Sequence, residues 1–157
     1  MSQKQAANSG PLSLDSGLVA SGPLHSTSVA IQGKGILILG RSGSGKSGLA
    51  LELMSRGATL ISDDQTQIDV MEGGLIASAP PAIAGLIEAR GVGILKADVA
   101  GPTPLKLAVT LDHIEEKRLP PFHTISLLGV TVPLLLRDTH PHFAAAILQY
   151  ATHGRRG

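Results

Sequence analysis

The sequence predicts an α/β domain, a mixed sheet with helices packed on its faces. Three observations carry this. Short apolar or alternating runs bounded by Gly and Pro recur along the chain and outnumber segments of helical period. One such run, Leu37-Ile38-Leu39, breaks at once into glycines and small hydroxyls and then resumes at helical spacing. The length of 157 residues favours one domain, and an aromatic content of only 2% means its core is built from Leu, Ile, Val and Ala.

Taken in order, residues 1–22 are rich in Ser, Gly, Ala and Gln without periodicity and are expected to form a flexible tail, leaving 23–153 as the folded domain. Ser28 to Ile31 and Gly35 to Leu39 are expected strands around the turn Gln32-Gly33-Lys34. Leu49, Leu51, Leu53 and Met54 mark a helix from about Lys46 to Arg56, stopped by Gly57. Ala58 to Ser62 is a strand ending at Asp63-Asp64. Gln67 to Met71 and Leu75 to Ser78 form a hairpin across Glu72-Gly73-Gly74. After Pro80-Pro81, the apolar stretch Ala82 to Ile87 is expected to be helical until Gly91 and Gly93 break it, with Val92 to Lys96 extended. Leu105 to Asp112 is a strand, Ser126 to Leu136 one or two strands, and Phe143 to Ala151 a closing helix.

Several function classes are disfavoured. With no cysteine there is no disulfide, thiolate metal site or Cys nucleophile. A net charge of +1 without clustered Lys and Arg, and without interleaved aromatics, gives no nucleic-acid footprint. The apolar run Leu127 to Leu136 is about half the ~20 residues of a membrane helix, and Pro133 interrupts it. No secretory h-region follows Lys4, so a cytoplasmic setting is expected.

The interruption itself, Gly40-Arg41-Ser42-Gly43-Ser44-Gly45-Lys46-Ser47, fits the P-loop pattern G-x-x-x-x-G-K-[ST]. A phosphate chain needs several backbone N–H donors turned inward, which requires side chains to be missing where the backbone closes on it. The helix that follows aims its unpaired N–H groups at the same anion. Lys46 would neutralise β and γ oxygens, and the Ser47 hydroxyl suits Mg²⁺. A flexible Gly/Ser turn would share the composition, but a strand before and a helix after favour the cradle.

Other residues extend the pattern. Asp63 and Asp64 follow a strand, where one acid could face a metal and the other serve as general base to a hydroxyl; a pair of turn-forming Asp residues is the alternative. Glu88 could complete a Mg²⁺ shell and Arg90 could hold phosphate oxygens, unless both are solvated side chains at a helix end. His25, where the tail meets the first strand, would by itself be an exposed histidine. His113, His123, His140, His142 and His153 have no convincing metal spacing.

These pieces together resemble the catalytic domain of the HPr kinase/phosphorylase family, from His25 to about Ala151. The carriers are "HSTSV", "GKGILILGRSGSGKSGLALELMSRGATLISDD", "APPAIAGLIEARGVGIL", "VTLDHIEEKRLP" and "VPLLLR", in the family's order. The resemblance implies a P-loop nucleotide-binding domain with a mixed sheet, similar to the nucleotide domain of phosphoenolpyruvate carboxykinases. It implies ATP- and Mg²⁺-dependent phosphorylation of a serine of HPr, a phosphocarrier protein, with possible reversal by inorganic phosphate to release pyrophosphate. A hexamer and a short form like those of alphaproteobacteria are implied as well. Gly40, Arg41, Ser42, Gly43, Ser44, Gly45, Lys46 and Ser47 would bind the phosphates, and Ser47 and Glu88 would hold Mg²⁺. Asp64 would be the base toward the serine, Asp63 its support or the metal's. His25, Arg90 and Arg118 would be further active residues. Pro133 to Arg137 resembles a segment linked to dephosphorylation, but it is one residue short and lacks the usual glycine, so kinase activity is the firmer implication. A small-molecule P-loop kinase and a non-enzymatic ATP-binding sensor are the alternatives.

Overall fold

A computed structural model describes residues 10–157. Its frame is a mixed sheet in the order β1-β11-β12-β10-β4-β3-β5. These strands are β1 (Ser13–Asp15), β3 (Thr27–Ile31), β4 (Lys34–Leu39), β5 (Thr59–Ser62), β10 (Thr103–Ile114), β11 (His123–Leu127) and β12 (Val130–Arg137). Strands β4, β10 and β12 run parallel, while β3 is antiparallel to β4 and to β5. The remaining strands are β2 (Gly22–His25), β6 (Gln65–Met71) and β7 (Gly74–Ser78), with β8 (Leu86–Ala89) and β9 (Gly93–Lys96) forming a separate hairpin. Two helices, α1 (Lys46–Ser55) and α2 (Phe143–His153), complete the described fold. Neither is long and apolar enough to cross a membrane.

Alternation along the strands splits the core in two. Val29, Ile36, Ile38, Leu60, Leu107 and Val109 face α1 and α2, whose Leu49, Ala50, Leu53, Ala144 and Ile147 they meet. Ala30, Leu37, Ile61 and Ala108 face the opposite way, against Ile68, Leu75 and Ala77 of β6 and β7. Residues two apart on a strand share a face, yet Leu105 lies in the second core and Leu107 in the first. A register shift between them explains it: the extra residue re-aims the strand. Before the shift, Thr103 and Pro104 pair with β7, so β10 joins both layers. Beyond it, Leu107 to Leu111 are buried without alternation, as expected for a strand covered on both faces.

Three expectations change. Helices cover only one face; the other is covered by β2, β6 and β7, because Ile68, Leu75 and Ala77 give that small sheet an apolar side. The stretch Ala82 to Ile87 is not helical. A 3-10 turn over Pro81–Ile83 ends at Gly85, whose φ of +77° an α-helix cannot hold, and β8 then alternates exposed and buried positions. Of the expected tail, residues 1–9 lie outside the described residues, while Ser13–Asp15 pairs in parallel with Thr124–Ser126. Leu12, Leu14 and Leu18 pack on the second core, which anchors this segment.

Candidate active site

The loop between β4 and α1 turns on glycines with specific tasks. A Cβ on Gly40 would stand 2.3 Å from Ser44 Oγ, so the loop closes over itself only because Gly40 has no side chain. Gly45 caps α1 at φ +105°, a conformation that costs glycine least. Lys46 is buried and arches over the loop, donating to the Gly40 and Arg41 carbonyls at 2.8 and 3.1 Å. Among the described residues, Ser44 Oγ is the buried side-chain polar atom without a hydrogen-bond partner. The Arg41 side chain is exposed and turned toward Asp112, which also accepts the Arg41 N–H at 3.1 Å.

Asp63 and Asp64 divide sharply. Asp63 is buried, with one carboxylate oxygen accepting from the hydroxyls of Thr27 (2.8 Å) and Ser47 (2.7 Å) and the other from the Glu88 N–H at 3.0 Å. Its work is positional: it ties β3, α1 and β8 together around one carboxylate. Asp64 sits at φ +71°, and Gln65 N–H reaches Asp63 O at 2.8 Å across it, making a tight three-residue turn. Such a backbone persists only where its surroundings hold it. Here Ser26 N–H donates to Asp64 O and Thr27 Oγ1 accepts from Asp64 N–H. The outcome is a carboxylate held out into solvent, with its side chain 73% exposed.

His25 bridges the two halves. Its Nε2 lies 3.1 Å from Lys46 Nζ, and its Nδ1 lies 3.5 Å from Asp64 Oδ1. An ammonium only donates, so Nε2 accepts and the ring proton sits on Nδ1, facing Asp64. A cavity of about 430 Å³ gathers His25, Lys46, Ser47, Asp64, Glu88 and Arg90, with Ser42, Gly43 and Gly45 forming its phosphate-loop wall. Glu88 and Arg90 reach it from the β8–β9 hairpin and not from a helix end. Arg118 does not line it. That side chain borders a different cavity, beside Pro120, His123 and Tyr150.

The residues present fit a phosphate chain with a hard cation. Lys46 lines the cavity as a positive charge whose three N–H groups go to Gly40 O, Arg41 O and His25 Nε2, and the loop's own Ser44 hydroxyl is buried without a partner. Because the Ser47 hydroxyl proton is committed to Asp63, its oxygen is left as an acceptor. The described residues hold no cluster of three or more His, Asp or Glu suited to a metal. Ser47 and Glu88 line the same cavity and could each offer one oxygen to Mg²⁺, which takes few protein ligands and completes its shell with water and phosphate. Thr27 escaped the sequence analysis as a contributor; the cluster of hydroxyls in His25-Ser26-Thr27-Ser28 was its only signal. Arg137 also reaches the loop, donating from Nη1 to Ser44 O at 3.3 Å.

Known proteins resemble this chain over much of its length. The chain is 38% identical over 138 residues to an HPr kinase/phosphorylase of Caldicellulosiruptor bescii, covering 79% of this chain and 44% of the relative. It is 48% identical over 82 residues to one from Clostridium tetani, covering 52% of this chain and 27% of the relative. The chain thus spans less than half the length of these curated relatives. A solved structure of an Hpr(Ser) kinase/phosphatase from Coxiella burnetii superposes with a TM-score of 0.67 at 27% identity, covering 80% of this chain and 90% of that one. The family model for the HPr Serine kinase C-terminal domain matches residues 17–120, and to that family the chain belongs.

Proposed function

We propose that this domain transfers the γ-phosphoryl group of ATP to a serine of an HPr-type phosphocarrier protein. The observation that carries the reading is Asp64: a carboxylate held out by a strained turn, on the rim of the same cavity as the phosphate loop. The kinase/phosphorylase names of the relatives supply the acceptor class.

In this reading the loop amides hold the β and γ phosphate oxygens, the Lys46 charge offsets theirs, and Arg90 faces the transferring group. The Lys46–His25–Asp64 chain orients the base. The incoming serine Oγ forms a bond to the γ phosphorus as the bond to the β–γ bridging oxygen breaks. Asp64 takes the hydroxyl proton, and ADP leaves. Mg²⁺, held by Ser47 Oγ and Glu88, would offset charge on the phosphate oxygens. Asp63 keeps Ser47 and the Glu88 backbone in place. Because Asp64 can return the proton, inorganic phosphate attacking phosphoserine to give pyrophosphate belongs to the same reading, as does a hexameric assembly in the cytoplasm. Positioning and charge stabilisation dominate such transfers, with turnover on the order of 1–100 s⁻¹.

The test is incubation with HPr, ATP and Mg²⁺, followed by intact mass of HPr, and then addition of phosphate. A phosphoserine on HPr is expected, lost again with pyrophosphate release. Folded protein that leaves HPr unmodified, or that passes label to small metabolites instead, overturns the reading.

A further inference from the structure

Three hydroxyl residues in a row, Ser26, Thr27 and Ser28, are fully buried where β2 gives way to β3. Two of them are occupied with the scaffold. Ser26 Oγ donates to Leu24 O, and Ser28 Oγ shares a hydrogen bond of 2.9 Å with Thr66 Oγ1 of β6. Thr27 is different. It borders the Lys46–Asp64 cavity, and both hydrogen bonds of its hydroxyl lead to the acidic pair.

We propose that Thr27 is a positioning residue for phosphoryl transfer: its hydroxyl, locked by Asp63, holds the backbone of Asp64 in the turn that presents the base. The inference rests on the reading of Asp64 as that base. Three observations carry it.

The first is that packing does not call for a hydroxyl. Thr27 lies two residues before Val29 on β3, so the two side chains share the face turned to α1. Thr27 pairs with Ile38 of β4 and Val29 with Ile36, and both isoleucines belong to the core on that face. Valine has the shape of threonine and would fill the same space. A buried hydroxyl costs free energy unless it is hydrogen-bonded. What separates Thr27 from a valine is therefore the pair of bonds it makes.

The second is the polarity of those bonds. Thr27 Oγ1 gives its one proton to Asp63 Oδ1 at 2.8 Å, so toward Asp64 it only accepts, and the Asp64 N–H donates to it at 3.4 Å. Asp63 Oδ1 also takes the Ser47 hydroxyl, and Oδ2 takes the Glu88 N–H. A carboxylate held at both oxygens fixes the torsion of the Thr27 hydroxyl. The hydroxyl in turn fixes the peptide between Asp63 and Asp64.

The third is strain. With Asp64 at φ +71° and Gln65 N–H bonded to Asp63 O, the turn is the rare, strained kind of three-residue turn. Strained backbone persists only where its surroundings over-determine it. Ser26 N–H holds the far side of the residue through Asp64 O, and Thr27 holds the near side through Asp64 N–H. Without that acceptor, the peptide is free to relax toward a negative φ, which re-aims the Asp64 carboxylate.

The test is transfer to HPr at saturating ATP and Mg²⁺, beside calorimetric ATP affinity. Thr27→Val should lower kcat by about 10–100-fold, the weight of a misplaced catalytic group, with ATP affinity within about threefold of wild type. Thr27→Ser returns the hydroxyl and should bring kcat back to within about threefold of wild type. In an Asp64→Asn background, Thr27→Val should cost less than about threefold, since no base is left to aim. A merely structural role would lower both backgrounds alike. In the wild-type protein the Asp64 N–H should exchange with deuterium at least about tenfold more slowly than in an unfolded chain, a measurement that needs no variant to fold. Full activity in Thr27→Val, no recovery with serine, an equal loss in both backgrounds, or an unprotected Asp64 N–H overturns the inference while the kinase reading stands. So does a fall in ATP affinity that accounts for the lost rate. If folded wild-type protein leaves HPr unmodified, or Asp64→Asn alone transfers at full rate, it is the parent reading that fails, and the inference falls with it.

Discussion

Two histidine–carboxylate pairs share their chemistry but little else. His25 and Asp64 approach only to 3.5 Å, with side chains 40% and 73% exposed. His123 and Glu115 meet at 2.8 Å, with side chains 5% and 14% exposed. In the second pair every group is committed. Leu12 N–H donates to His123 Nδ1 at 2.9 Å, so Nε2–H donates to Glu115 Oε1, while Glu115 Oε2 accepts the N–H groups of Glu116 and Lys117. The first pair leaves a carboxylate with open lone pairs beside a cavity. Burial and full hydrogen bonding turn a His–carboxylate pair into a clasp; exposure and loose contact leave it able to accept a proton from elsewhere.

The strongest way to break this contrast is Asp64→Asn. An amide keeps the shape but cannot serve as a base. Transfer to HPr should fall by about 10²–10⁴-fold, the usual weight of a positioned general base. Calorimetric ATP affinity should stay within about twofold, since Asp64 lies outside the loop of donors that holds the phosphates. Transfer at the wild-type rate would place the base elsewhere.

The clasp should respond in the opposite sense. His123→Leu leaves the Leu12 N–H and a Glu115 oxygen without partners. Stranding buried polar groups costs about 2 kcal/mol, which lowers the melting temperature by roughly 4–8 °C for a chain of this size. ATP affinity should be unchanged. A variant that melts normally but loses nucleotide binding would show that the two pairs are not separate in function.

How far each pair was legible in sequence follows from the range of the contacts. Gly40 to Ser47 could be read directly, because its geometry is set by eight consecutive residues. Asp63 and Asp64 could be picked out as a pair, but not their division, which depends on Thr27, Ser47 and Glu88 arriving from three other elements. The sequence of Ala82 to Ile87 reads as helix, although Leu86 and Ile87 open the strand that carries Glu88, because that strand's alternation lasts only four residues and Gly85 declares its positive φ only in the fold. Arg118, expected at the site, borders another cavity, where tertiary contacts hold its loop. Arg155 stacks over Phe122 and donates to the Pro120 carbonyl. No local pattern encodes a contact made by the last few residues of the chain.

A third cluster sharpens the comparison by falling between the two. His140 Nδ1 lies 2.7 Å from Asp138 Oδ1 and His142 Nε2 lies 3.7 Å from Oδ2, with the two imidazole rings stacked 5.4 Å apart. Burial is the largest single influence on Asp138 and works to raise its carboxyl. The hydrogen bonds from His140 and the charges of His140 and His142 together outweigh it and hold the group below its ordinary 3.8. A carboxylate lowered in the folded state stabilises the fold above its unfolded value, and that contribution is lost as pH falls through the lowered folded value. Replacing both histidines with Ala leaves burial opposed only by the residue-140 backbone N–H, so Asp138 should titrate higher, as followed by NMR of its side chain. Since the imidazoles are largely exposed and screened by water, the stability lost near neutral pH should stay under about 1 kcal/mol in urea unfolding. The difference from wild type should shrink toward zero once the pH drops below the range in which Asp138 ionises. A carboxyl that stays lowered without both histidines would mean that backbone N–H donation, rather than the imidazoles, holds it, and Asp138 would then stand closer to Glu115 than to Asp64.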